Sequence, residues 1–235
     1  LFPYTTLFRS ERWEDAPRIS IVVPLYCTKE AFLRQMIASV QAQSYENWQL
    51  CLADASPAEA DGSTQTGRVV GEYRQSDARI VYQALHENRG IAENTNAAIA
   101  LSDGDWIAFM DHDDLLAPDA LYEAVALMRR GPKRRSAVEC AGLLQPQKEG
   151  ASYELIYTDE DKVGMEGRVH FEPHFKPDFN LDLLRSNNYI THFTMVSRAL
   201  FLRVGGLRGE FDGAQDYDFI LRCTEAAEAD RKSVV

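Results

Sequence analysis

The sequence predicts an α/β fold: a mostly parallel sheet flanked by helices and completed by a smaller, mixed half. Three observations carry this. Short apolar runs rich in β-branched residues alternate with stretches of helical periodicity through residue 130, one such run ends abruptly in a cluster of acids, and beyond residue 151 the alternation gives way to mixed pieces. Strands alternating with helices imply right-handed crossovers and parallel pairing, which gathers the loops leaving the strands along one edge of the sheet.

Each element follows from its own residues. Arg18–Pro24 is a continuous apolar run closed by proline; Thr28 is the expected N-cap of a helix carrying Phe32, Leu33, Met36, Ile37 and Val40 at helical spacing. Trp48–Asp54 starts a second round, with a turn-rich stretch to Ser63 and a helix through Val69, Val70 and Tyr73. Arg79–Tyr82 starts a third, whose helix carries Ile91, Thr95, Ala98 and Ile99, and Trp106–Met110 starts a fourth, leading through the acids to a helix over Ala120–Arg130. Gly131–Ala151 turns polar and basic and reads as a solvated connector. Tyr153–Tyr157 is predicted as a strand, Thr158–Lys162 as an acidic turn, Asn188–Val196 as an alternating strand, and Gln215–Arg222 as the start of another helix.

Composition narrows the function classes. The chain carries a net charge of −11, which disfavours nucleic acid as a partner and offers no basic patch to anionic lipid. Cys27, Cys51, Cys140 and Cys223 are scattered without a C-x-x-C pair, so neither a zinc knuckle nor a disulfide framework is expected, and free thiols in a reducing cytoplasm are. No apolar run approaches the roughly 18 residues of a membrane span. A cytoplasmic location is expected, with peripheral association at the inner face of the membrane left open.

The two ends carry a signature of their own. Phe2–Ser10 can be encoded by a string whose reverse complement, read one base in, encodes Asp230–Val235 followed by a stop, the pattern of sequencing-adapter read-through. Residues 1–10 and 230–235 are therefore expected to be foreign tails, and 11–229 a single domain cut short at its C-terminal end. Without the charged tail residues Arg9, Asp230, Arg231 and Lys232 the net charge becomes −13.

The chemistry concentrates at Trp106-Ile-Ala-Phe-Met-Asp-His-Asp-Asp114. A strand buried on both faces tolerates no charge, so the acids belong at its exit, in the crevice where open α/β sheets bind ligands. Three clustered anions, Asp111, Asp113 and Asp114, repel one another unless something positive joins them, and a divalent cation with oxygen ligands is the natural partner. The competing reading is that Asp113 or Asp114 simply caps the helix that follows Pro118. His170 and His174 have ligand-like spacing, but Pro173 between them argues against a helical pair and they are read as ordinary loop residues.

Ile21–Tyr26, the loop at Asp54, Asn88-Arg-Gly-Ile91, Asp111-His-Asp-Asp114 and Gln215-Asp-Tyr-Asp218 fall in an order and spacing that resemble family 2 glycosyltransferases of the Rossmann-like GT-A fold. Tyr157–Lys162, Phe175-Lys-Pro-Asp-Phe179 and Asn187-Asn-Tyr-Ile190 further resemble the subgroup of bacterial O-antigen and surface-polysaccharide synthesis. The resemblance implies an inverting enzyme that moves a sugar from a UDP-, GDP- or dTDP-sugar to a hydroxyl of a saccharide or lipid-linked glycan. It implies a Mg²⁺ or Mn²⁺ ion held by Asp111 and Asp113, with Asp111 also on the ribose. Pro24, Tyr26 and Asp54 would cradle the nucleobase side of the donor, Arg89 would approach the diphosphate, and Asn96 would support the donor site. Asp216 would be the general base, and the smaller mixed half would lie on the acceptor side.

The chain departs from the family at two points. Asp54-Ala-Ser-Pro57 replaces the usual pair of acids followed by Gly-Ser, and Cys27 replaces a usual Asn. Read without the resemblance, Asp54 is equally a helix cap or the centre of an Asx turn, Arg89 a solvated arginine, and Asp216 a charge complementing a helix N-terminus. Asp159, Glu160 and Asp161 read as a solvated turn, or by the subgroup resemblance as an acceptor contact. The rival functions are a nucleotide-sugar-binding fragment without turnover and a nucleotidyltransferase, although the latter would usually carry a Gly-rich, basic phosphate loop near Pro24. An aspartyl phosphatase is disfavoured because its acid pair follows the first strand of the core, not the fourth.

Overall fold

A computed structural model of the chain describes residues 13–130, 153–165 and 169–227, with the backbone alone of 232–234. The connector read at Gly131–Ala151 and the N-terminal tail lie outside the described residues. In chain order the elements are β1 (Ile19–Leu25), α1 (Glu30–Gln41), β2 (Trp48–Asp54), α2 (Gln65–Arg74), β3 (Ile80–Ala84), α3 (Ile91–Ala100), β4 (Trp106–Phe109) and α4 (Ala120–Arg130). The second half supplies β5 (Leu155–Tyr157), β6 (Glu160–Val163), β7 (His170–His174), α5 (Leu181–Ser186), β8 (Thr194–Ser197), α6 (Arg198–Val204), α7 (Gln215–Ala226) and β9 (Lys232–Val234), with a 3-10 turn at Gly209–Phe211.

The main sheet has the order β3-β2-β1-β4-β8-β5-β9. β1, β2, β3 and β4 pair in parallel, and β8 alone runs antiparallel, between β4 and β5. Successive connections leave β1 in one direction to reach β2 and β3, and the chain then returns to place β4 on the other side. This strand-order reversal between β1 and β4 opens a crevice beyond their C-terminal ends, the place where such sheets bind ligands.

Alternation along the strands divides the core into two layers. Ile19, Ile21, Val23, Leu25, Leu50 and Leu52 join Leu33, Met36, Val70 and Leu121 from α1, α2 and α4. Val22, Cys51 and Ala53 join Ala98, Leu200 and Ile220 from α3, α6 and α7 on the opposite face. In α1 the fully buried Leu33, Met36, Ile37 and Val40 recur at the helical period and each contributes roughly 2 kcal/mol of burial.

Four local expectations are corrected. α1 begins at Glu30 with Lys29 as its cap and no capping side chain, so Thr28 lies one residue too early. α4 begins at Ala120, too far along for Asp113 or Asp114 to cap it. The strand expected over Asn188–Val196 runs only from Thr194 to Ser197, because its partner β4 ends at Phe109 and nothing extends the ladder further. The acidic turn is a strand: β6 pairs with β7, and its acids meet the histidines read as loop residues, His170 Nδ1 lying 3.0 Å from Asp161 and His174 Nδ1 3.0 Å from Glu160. Pro173 is tolerated because a two-stranded hairpin is all edge.

Candidate active site

β4 carries the chain to the crevice and a tight turn arranges its acids. The Asp114 amide donates to the Asp111 carbonyl at 3.3 Å, which turns the first and last acids of the cluster together and leaves Asp113 exposed. His192, from the loop before β8, completes the group: its Nδ1 lies 2.8 Å from Asp114 Oδ2 and its Nε2 3.7 Å from Asp111 Oδ2. One potential ligand atom from each of the three lies within 4.8 Å of the other two. The Asp114 hydrogen bond, with the Asp111 charge behind it, pushes the His192 imidazole up to about 9 against the opposing effect of burial. Burial pushes the Asp111 carboxyl upward, with the His192 charge opposing and the neighbouring aspartates adding to the rise.

Asp111 and His192 line a cavity of about 260 Å³ together with Pro24, Thr191, Gln215 and Asp216 and the apolar Val22, Phe109 and Phe219. Asp216 sits in the first turn of α7, and its Oδ2 accepts a hydrogen bond from Asn188 Nδ2 at 2.9 Å. Asp218 points away and is held by Arg208 and Arg222. A second cavity of about 410 Å³ is lined by Tyr26, Ser56, Thr64, His86, Glu87 and Asn88, among others. Pro24 near the end of β1 lines the first cavity and Tyr26, just beyond the strand, the second, so the C-terminal end of β1 lies between the two.

The model of the family described as glycosyl transferase family 2 matches residues 20–205, a stretch holding both cavities apart from α7 and the loop before it. The chain belongs to glycosyl transferase family 2. It is 37% identical over 218 residues to the O-antigen biosynthesis protein RfbC of Myxococcus xanthus, covering 93% of this chain and 15% of that protein. The chain thus spans a small part of the length of the curated relatives it matches, 21% and 15% for two of them. Its fold is that of S. aureus TarS, solved in complex with UDP (TM-score 0.66, 18% identity, 93% of this chain and 57% of that one). The mannosyltransferase of Pyrobaculum calidifontis, solved with GDP-Man and Mn²⁺, is similar at TM-score 0.61 and 16% identity over 94% of this chain and 55% of that one. The GT-A fold expected from the motifs is the fold found.

The residues expected at a family 2 site distribute unevenly. Pro24, Asp111 and Asp216 meet in the first cavity and Tyr26, half exposed, borders the second. Asp113 lies outside the Asp111, Asp114 and His192 group. Asp54 is fully buried, and its two oxygens accept from the Ser56 amide (2.9 Å), the Thr64 hydroxyl (2.5 Å) and the Tyr82 hydroxyl (2.8 Å). Its acceptor capacity goes to shaping the loop and the cap of α2, where Thr64 in turn accepts from the Gly67 amide, and the Asx-turn reading is the one this geometry fits. Asn96 makes a two-way bond with the Leu207 backbone, accepting from its amide at 2.9 Å and donating to its carbonyl at 2.8 Å, so it holds the loop before the 3-10 turn.

Arg89 is 68% exposed and sits 3.3 Å from Glu87. The helix N-terminus beside it is already capped, because Asp212 Oδ1 accepts from the Ala92 amide at 3.0 Å. Asp114 is read in the sequence as part of the acid cluster without being assigned as a ligand, and neither His192 nor Asn188 is given a role of its own. The signal for His192 was a single imidazole among the apolar positions of Tyr189-Ile-Thr-His-Phe193. Among the described residues no helix is long and apolar enough to cross a membrane.

Proposed function

We propose that this domain is an inverting, cation-dependent glycosyltransferase that moves a sugar from a nucleotide-diphospho-sugar to a hydroxyl of a saccharide or lipid-linked glycan in surface-polysaccharide synthesis. The observation that carries the reading is that Asp111 and Asp216, from elements more than 100 residues apart, line one cavity. Similarity to RfbC supports the pathway class, and the nucleotides solved with TarS and the mannosyltransferase support the donor class.

Asp111, Asp114 and His192 offer two carboxylates and an imidazole at a spacing one ion can bridge, a set that accepts Mn²⁺ more readily than Mg²⁺, which prefers oxygen alone. Asp113, exposed beside them, is the remaining candidate ligand from the acid cluster. When bound, the cation would neutralise charge developing on the departing diphosphate. The cavity beside Tyr26 is of a size and polarity to hold the nucleoside, with His86, Glu87 and Asn88 as polar contacts.

Asp216 takes the proton of the acceptor hydroxyl as its oxygen bonds to the anomeric carbon, and the bond from that carbon to the diphosphate oxygen breaks. One displacement inverts the centre and releases the nucleoside diphosphate. Asn188, donating to one carboxylate oxygen, fixes the base and leaves its other oxygen for the acceptor. Replacing Asp216 by Asn is expected to lower transfer by about 10²- to 10⁴-fold while donor affinity is kept. Transfer at the wild-type rate would overturn the assignment, and a protein that binds donor but transfers in neither form would be a binding fragment.

A further inference from the structure

We infer that Lys176 is a positioning residue for the cation site, clamping the backbone on both sides of Thr191 and so setting where His192 stands relative to Asp111 and Asp114. The inference rests on the cation-site reading above and extends it to the Tyr157–Lys162 and Phe175–Phe179 segments, which that reading left without a role.

The Lys176 side chain has no exposed surface, and its ammonium makes three contacts for its three protons. Nζ donates to the Ile190 carbonyl at 2.7 Å and to the His192 carbonyl, and lies 3.3 Å from Glu160 Oε2. Glu160 in turn accepts from the Thr191 hydroxyl at 3.1 Å and lies 3.0 Å from His174 Nδ1. Three consecutive residues of the loop are therefore held by one ion pair, Glu160 on β6 and Lys176 just beyond β7. The Lys176 amide donates to Asp159 Oδ1 at 2.7 Å, which ties Lys176 to the chain leaving β5.

Two features say that this clamp does more than fill space. A buried ammonium is costly unless fully paired, and an apolar side chain of similar length would occupy the same volume without that cost. Thr191, a β-branched residue, has φ 34, a left-handed conformation that such residues adopt only when their surroundings impose it. The next residue is His192, whose ring meets Asp114 at 2.8 Å. Release of the Ile190 and His192 carbonyls would let Thr191 return to an extended conformation and carry the imidazole off its partners. Groups that orient a ligand without touching the ion typically change metal affinity 10- to 100-fold.

The test is Mn²⁺ binding to the full chain, without nucleotide or acceptor, followed by the electron paramagnetic resonance signal of free Mn²⁺. Lys176→Met is expected to weaken Mn²⁺ binding about 10- to 100-fold while circular dichroism and cooperative unfolding show a folded protein. Val70→Ala, a core substitution in α2, is the control that lowers stability and leaves Mn²⁺ affinity unchanged. A folded Lys176→Met protein that binds Mn²⁺ as tightly as wild type overturns the inference. Should Lys176→Met not fold, Glu160→Gln and Thr191→Val decide it: several-fold weaker binding in both supports the clamp, and wild-type binding in both overturns it. Absence of Mn²⁺ binding by the wild-type chain would instead remove the cation reading, and the inference with it.

Discussion

Replacing Asp54 by Ala separates two roles for this carboxylate. If it reads the donor, the variant stays as stable as wild type and binds nucleotide more weakly. If it organises the loop after β2, the cost appears in stability. The side chain is fully buried and accepts from the Ser56 amide and the Thr64 and Tyr82 hydroxyls. Alanine would leave two buried donors, on Ser56 and Thr64, and the part-buried Tyr82 hydroxyl without their acceptor, at about 1–2 kcal/mol each. Part of this is recovered, because the Thr64 and Tyr82 hydroxyls lie 3.1 Å apart and can bond to each other. The net expectation is a loss of about 2–4 kcal/mol, a large share of the roughly 5–15 kcal/mol that holds a domain folded. Asp54→Asn keeps one acceptor oxygen and is expected to cost about 1–2 kcal/mol. Urea unfolding at neutral pH measures both. An Asp54→Ala protein within about 0.5 kcal/mol of wild type but impaired in nucleotide binding would refute the structural role.

Two further outcomes follow from the site. His192 is raised from 6.5 to about 9, so its protonated form stabilises the metal-free fold below pH 6.5, and that contribution is lost as pH rises through 9. The ring is 39% exposed and partly screened, so a loss of about 1 kcal/mol is expected between these limits, seen as a difference in chelator-treated unfolding between wild type and His192→Gln; identical pH profiles would contradict it. Gly90 has φ 97, and a Cβ there would stand 1.9 Å from Asp212 Oδ2, so Gly90→Ala is expected to cost about 1–3 kcal/mol and to expel the cap on α3. A double-mutant cycle with Asp212→Ala checks this, and strict additivity would count against the coupling.

The first half of the fold was legible because its signals are local. Trp48–Asp54 and Ala120–Arg130 have the bounds that apolar pattern alone assigned, since each is a run whose burial follows from its own residues. The β6–β7 hairpin was missed because its pattern is charged, and the acids there are made tolerable by His170, His174 and Lys162–Glu172 pairing across the strands. Asp111 and Asp216, which line one cavity, were picked out by their motifs, but the partners of Asp54 and Asn96 were not legible. Asp54 is satisfied from positions 64 and 82, and Asn96 from a backbone 111 residues away. The choice between Asp113 and Asp114 beside His192 was equally out of reach, because it depends on the turn that the Asp114 amide closes on the Asp111 carbonyl.

A cation that grips the donor diphosphate makes donor binding depend on the ion. Titration of UDP-, GDP- and dTDP-sugars into the chain, with Mn²⁺ and after chelation, measures that dependence by the stabilisation each ligand confers. At least one donor is expected to raise the unfolding temperature only when Mn²⁺ is present, and Asp111→Asn is expected to abolish the effect. A donor that stabilises wild type and Asp111→Asn equally, with or without the ion, would contradict the account.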